Sequence, residues 1–217
     1  MKIRKFKKFV GDFETTVYEN QEYTEVWASA VVEIGTENVL IFHSINDTYT
    51  YLSSIEENVM IYYHNLKFDG VFWLSYLLNN GFKQAYDVIS QDPFIVEWKR
   101  ENNMPNKSFK YAISHLGQFY NIVIKEDNHI IEIRDSLKLL PFSVKRIGES
   151  FKTKHKKLDM EYEGFRYAGC EITDKEREYI ANDVLVVAEA LKIMFEEGHD
   201  KLTIGACCLD EFKRTFF

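Results

Sequence analysis

Asp12, Glu14, Asp69 and Asp183 are carboxylates that a fold could gather at one place, and gathered carboxylates bind hard divalent cations such as Mg²⁺. Asp12 and Glu14 stand two residues apart at the end of the apolar run Phe9-Val10-Gly11, and residues two apart on a strand project to one face. Asp69 closes the segment Asn65-Leu66-Lys67-Phe68, between an apolar run and a helical pattern, where an aspartate is either a site residue or an ordinary helix cap. Tyr179 and Asp183 are four apart on a late helix and so share its face. Taken singly, each feature is common: a solvated strand end, a cap and a polar helix face require no chemistry. Ordered as Asp-x-Glu, then Asn-x-x-Phe-Asp, then Tyr-x-x-x-Asp, they are hard to ascribe to coincidence.

The elements that must position these groups are legible in the hydrophobic pattern. Phe6 to Glu14 and Glu25 to Ile34 are expected strands, Gly35-Thr36-Glu37-Asn38 a hairpin turn, and Val39 to His43 the returning strand. A short helix over Asp47 to Glu56 precedes Val59 to His64, an apolar run suited to a strand buried on both faces. Phe68 to Asn80 is expected to be a buried helix, stopped by Gly81. Strands follow at Phe94 to Trp98, Phe109 to Ile113, Gln118 to Ile124 and Ile130 to Asp135, then a helix from Ser143 to Phe151. The basic run Lys152-Thr153-Lys154-His155-Lys156-Lys157 has the composition of a solvated loop. Thr173-Asp174-Lys175-Glu176 has capping-box spacing, and Ile180, Val184, Val187, Ala188 and Leu191 continue a helix towards Gly198. The sum is a mixed α/β domain.

Composition bounds the function classes. A chain of 217 residues, 46% hydrophobic and 28% charged, can bury a core, and no stretch approaches the roughly 18 apolar residues of a membrane helix. The formal charge of −7 argues against nonspecific coating of nucleic acid, but not against a nuclease whose carboxylates surround cations. Cys170, Cys207 and Cys208 show no metal-ligand spacing, and with no signal peptide in the sequence they imply a reduced, intracellular, cytoplasmic setting.

The ordered carboxylate set resembles the three exonuclease motifs of DEDD nucleases with a tyrosine in the third motif, which use an RNase H-like fold, a mixed β-sheet flanked by helices. Its surroundings narrow the resemblance: Asp12-Phe13-Glu14-Thr15-Thr16, Tyr63-His64-Asn65-Leu66-Lys67-Phe68-Asp69-Gly70, Asp135-Ser136-Leu137-Lys138 and Leu140-Pro141-Phe142-Ser143-Val144-Lys145. These are similar to the N-terminal 3'-5' exonuclease domain of protein-primed family B DNA polymerases of phages. The resemblance implies an exonuclease domain over residues 1–200 and the start of a connection to a polymerase domain over 201–217. The catalytic palm, thumb and the family's insertions have no room here, so DNA synthesis by these residues is not expected.

The implied activity is metal-dependent release of nucleoside monophosphates from single-stranded DNA 3' ends, as in proofreading during DNA replication. Asp12, Glu14 and Asp183 would hold one Mg²⁺ or Mn²⁺ ion and Asp12 with Asp69 a second, about 3.5–4 Å away. Tyr179 would orient the attacking water. A lysine followed five residues later by tyrosine approaches the phosphate in the family, and Lys157 with Tyr162 matches it, with Lys156 adjacent. Candidates for holding the strand are Thr15, Tyr62, His64, Asn65, Phe68, Phe72, Ser136 and Leu137, of which Tyr62 and Phe72 equally suit the core. Expected partners are single-stranded DNA ends and a polymerase subunit or priming terminal protein inside a bacterial host. A non-catalytic binding remnant and an RNA-trimming exonuclease are the competing functions.

Overall fold

The computed structural model describes residues 5–16, 18, 20–92, 95–160 and 165–217. Alternation of apolar residues builds β1 (Phe6–Thr15), β2 (Val26–Glu33) and β3 (Val39–Phe42) as an antiparallel meander. Helix α1 (Ile45–Ser53) then crosses to β4 (Asn58–Tyr63), which pairs parallel to β1. Helix α2 (Leu66–Asn79) follows, then the short strands β5 (Lys83–Gln84), β6 (Tyr86–Val88) and β7 (Val96–Trp98). The antiparallel run β8 (Ser108–Ile113), β9 (Phe119–Glu126) and β10 (His129–Asp135) brings β10 parallel beside β4. Helices α3 (Val144–Ser150), α4 (Asp174–Glu196) and α5 (Ile204–Phe216) complete the chain.

The eight-stranded sheet has the order β3-β2-β1-β4-β10-β9-β8-β5, with β6 and β7 as a separate pair. Its three mutually parallel strands, β1, β4 and β10, lie side by side, so their carboxyl ends open on one rim. In α/β sheets that rim is where ligands bind. One face of the sheet packs on α3 and α4 through Val10, Ala30, Tyr62, Val184 and Leu191. The other packs on α2 and its neighbours through Phe13, Ile61, Leu66, Trp73 and Leu77. Each fully buried leucine, such as Leu66 or Leu77, contributes roughly 1.5–3 kcal/mol. At Gly70 a Cβ would come within 2.8 Å of the Phe119 ring, so glycine lets α2 settle onto β9.

The expected strands are present, most with ends shifted by one or two residues; Phe94 lies outside the described residues. Helix α1 begins two residues before the expected Asp47 because Ser44 caps it, its Oγ accepting from the Asp47 amide at 3.1 Å. Helix α2 is not buried all round. Leu66, Gly70, Trp73 and Leu77 face the sheet, whereas Phe68, Val71 and Leu78 are exposed, since only one side of the helix has a neighbour to pack on. The capping box at Thr173 and Glu176 forms as the sequence indicates. Helix α5 was not anticipated; Thr203 caps it and Cys207 inserts into the α3/α4 core.

Candidate active site

Strand β1 sends Phe9 and Phe13 into the α2 core and Val10 into the α4 core, so Asp12 and Glu14 lie on the α4 side. They pair with Ala30 and Ala28 of β2, whose small side chains leave space under α4. The register shifts between Glu14 and Thr15, ending the regular ladder beside the carboxylates. Gly11 is required next to Asp12, because a Cβ there would lie 2.7 Å from Cζ of Tyr63 and 2.9 Å from Cδ1 of Ile61.

Asp69 is not the cap of α2. The cap position belongs to Asn65, in the left-handed region (φ 72°) and without a side-chain cap bond. Asp135 does the capping from the end of β10: its Oδ1 accepts from the amides of Asn65 (3.2 Å), Leu66 (3.3 Å) and Leu137 (3.0 Å). Asp69 is therefore not needed as the cap. It is 2% exposed and its Oδ1 has no hydrogen-bond partner. Burial pushes its carboxyl up to about 8; its own amide and that of Phe13 oppose the rise, and Glu14 and Asp135 add to it.

Helix α4 supplies Tyr179 and Asp183 one turn apart. Lys157 donates to Asp183 Oδ2 and, at 3.2 Å, to the Tyr179 hydroxyl, with its ammonium 4.8 Å from the tyrosine ring centroid. Burial pushes the lysine down, but the bond and charge of Asp183 outweigh it and hold the ammonium charged. Burial raises the Asp183 carboxyl against the pull of Lys157, and Asp183 Oδ1 is a second buried oxygen without a partner. Lys156 turns away to the Gly148 carbonyl (2.8 Å), so the lysine at the carboxylates is Lys157; Tyr162 lies outside the described residues. The basic run is therefore not a freely solvated loop. Lys154 pairs with Glu37 at 2.7 Å and His155 with Glu189.

Asp12 joins the two halves. Burial first, then the charges of Asp69, Glu14 and Asp183, push its carboxyl well above the usual carboxylate range, and Lys157 opposes them. All four acids and the lysine thus share one field. A pocket of about 180 Å³ opens there, lined by Gly11, Asp12, His64, Val144 and Asp183 among others. Among the described residues, no group of three or more Asp, Glu, His or Cys side chains is placed to hold a metal ion as the side chains stand. The unpartnered oxygens of Asp69 and Asp183 nonetheless fit a positive ligand, because buried acceptors are ordinarily bonded.

Of the expected strand-holding residues, Thr15 and Leu137 are half-buried at the rim and Asn65 is exposed. Phe68 is exposed and meets half-buried Phe72 edge to face at 5.6 Å. Two do not face the site. Tyr62 is 1% exposed, its ring against Phe195 and its hydroxyl on the Met60 sulfur, because alternation along β4 turns it into the α4 core. Ser136 is wholly buried; its Oγ lies 3.0 Å from His64 Nδ1 and 3.2 Å from the Tyr63 carbonyl, two acceptors that compete for its single hydrogen. His64 is braced on its other side by the Phe142 carbonyl (2.8 Å), and burial lowers its imidazole against that bond, favouring the neutral ring. The positioning role of Asp135 was missed. Its only sequence signal is an aspartate closing a strand two residues before Leu137, whose amide it binds.

The chain is similar to known proteins. Residues 50–170 match the family described as DNA polymerase type B, organellar and viral. The DNA polymerase of Bacillus phage B103 is 38% identical over 95% of this chain and 34% of its own length. That of Bacillus phage phi29 is 36% identical over 98% of this chain and 35% of its own length. The solved structure of phi29 DNA polymerase complexed with single-stranded DNA superposes with a TM-score of 0.81 at 32% identity, covering 97% of this chain and 35% of that one. The chain spans about a third of the length of these relatives. With more than half of its residues inside the matched segment, it belongs to the organellar and viral type B DNA polymerases.

Proposed function

We propose that this chain is a 3'-5' exonuclease that releases nucleoside monophosphates from single-stranded DNA ends, the proofreading part of a protein-primed replication system. The observation that carries this is the convergence of Asp12, Glu14, Asp69 and Asp183 on one field, with buried, unpartnered oxygens on Asp69 and Asp183 and the ammonium of Lys157 beside them. Asp12, Glu14 and Asp183 are the groups to hold one Mg²⁺ or Mn²⁺ ion, and Asp12 with Asp69 a second. Bound there, such ions would acidify a water and neutralise charge on the scissile phosphate and the departing 3' oxygen.

The chain's own residues do the rest. Tyr179, a neutral phenol, orients the attacking water through its hydroxyl. Lys157 counters charge that develops on the phosphate. His64, held between Ser136 and Phe142, braces the wall beside Asp12 and donates no charge. Thr15, Asn65, Phe68 and Leu137 line the rim where a 3'-terminal nucleotide is held. Residues 1–200 form the catalytic unit, and a polymerase or priming protein in a bacterial cell is its working partner. In support, the relatives are DNA polymerases of phages, and a related structure contains single-stranded DNA.

The test is release of mononucleotides from a 3'-labelled single strand with Mg²⁺ or Mn²⁺, with chelator, and with Asp12→Ala plus Asp183→Ala. Metal-dependent release lost in the double variant is the expected result. Strand binding without release would replace the enzyme with a binding module, and stronger competition by RNA than by DNA would reassign the substrate.

A further inference from the structure

Phe165, Tyr167 and Tyr18 form an exposed aromatic cluster that the site described above does not use. Their exposures are 59%, 53% and 37%, yet they are not scattered: Tyr18 and Phe165 lie with ring centroids 4.6 Å apart, and Phe165 and Tyr167 at 6.3 Å with planes 33° apart. The segment that carries them is anchored from within. Arg166 pairs with Glu176 in the first turn of α4, and its guanidinium lies 5.7 Å over the Trp27 ring. Further along, Cys170 and Ile172 insert into the α4 core. Arg166 is turned inward between two exposed neighbours, so Phe165 and Tyr167 present their rings to solvent on either side of the anchor.

The anchor also fixes where the cluster stands. Trp27 lies between Val26 and Ala28, the residues that pair with Thr15 and Glu14. Tyr18 is four residues beyond Glu14, and a fully extended chain covers at most about 14 Å in that distance. On the other side, Glu176 is three residues before Tyr179, roughly 4.5 Å along the helix. The rings therefore stand by the end of β1 and the start of α4, with Tyr18 no more than about 14 Å from Glu14. Arg166 is taken up by Glu176, so the surface offers ring faces in place of a phosphate-binding charge. Ring faces of this kind stack on unpaired bases irrespective of sequence.

We infer that Tyr18, Phe165 and Tyr167 form a stacking subsite for an unpaired nucleobase of the strand whose end lies at the carboxylates. The inference rests on the proposed function for the presence of that strand, but not on cleavage. It is tested with the full chain in chelator, measuring binding of a fluorescent oligothymidylate of about ten nucleotides. Phe165→Leu with Tyr167→Leu keeps apolar bulk and removes the ring faces; binding should weaken about five- to a hundredfold. Phe165→Trp with Tyr167→Phe should restore it. Scanning a single abasic position along the strand should weaken wild type at one location and leave the leucine variant indifferent there.

Equal binding by wild type and the leucine variant, equal abasic sensitivity, or no strand binding at all would overturn the subsite. With metal added, the leucine variant should raise KM and leave kcat unchanged. Ring-dependent binding without nucleotide release would uphold the subsite and sink the exonuclease; release with an unchanged KM would do the reverse.

Discussion

Asp69 and Asp135 are both buried acids near the rim of the same sheet, and the protein treats them in opposite ways. Asp135 is built into the scaffold, one oxygen accepting three backbone amides from two segments of chain. Asp69 is just as inaccessible, yet one of its oxygens has nothing to bind, and burial holds its carboxyl at about 8. The two are linked: Asp135 caps α2 from β10, so Asp69 in the first turn of that helix is not needed as the cap. Burial of a carboxylate is therefore not by itself a mark of function. The mark is burial with bonding capacity left over.

The sharpest way to break this contrast is to substitute each acid and measure both activity and stability. Asp69→Asn should lower nucleotide release on the order of a hundred- to a thousandfold, with thermal stability of the metal-free protein unchanged or increased. Asp135→Ala should instead cost roughly 3 kcal/mol of stability, read in a denaturant melt, because three amides lose a charged acceptor. An Asp135 variant of wild-type stability, or an Asp69 variant that unfolds, would invert the assignment.

Lys157→Ala probes the third acid, Asp183, whose charge is countered by a neighbour. A drop of about a hundredfold in kcat with little change in KM is expected from steady-state release assays. The smallest effect concerns pH. Asp69 in the metal-free fold titrates at about 8, against 3.8 when unperturbed. Between those values the folded chain holds a proton that the unfolded chain has released, so stability falls as pH rises through that window. A divalent cation takes the proton's place. The rise in melting temperature on adding Mg²⁺ or Mn²⁺ should therefore grow from pH 5 to pH 8, reaching several degrees, and Asp69→Asn should reduce the dependence while leaving the share of Asp12, whose carboxyl is also raised.

The sequence carried the parts of this site that depend on local period. Asp12 with Glu14 and Tyr179 with Asp183 follow from strand and helix spacing, and the cap of α4 from Thr173 and Glu176. What escaped depends on distant contacts. Asp135 acts through amides some seventy positions earlier, and nothing near it announces that. Tyr62 and Ser136 were assigned to the strand because motif neighbours suggested contact, but only tertiary packing reveals that both are enclosed. Strands β5 and β6, of two and three residues, are too short to show a period. Helix α5 has local signals, the Thr203 cap followed by spaced apolar residues, but its docking through Cys207 is a tertiary contact.

Strand β4 has one further consequence. It is hydrogen-bonded along both edges, to β1 and to β10, and covered on both faces. Its amides should be among the last to exchange with deuterated solvent, and those of the segment around Arg166, which lies outside the sheet and helices, among the first. The strand that carries Asp12 and Glu14 is thus paired to the part of the sheet that opens only by unfolding as a whole. The aromatic cluster of Tyr18, Phe165 and Tyr167 stands outside that sheet, so its residues can change without disturbing the strands.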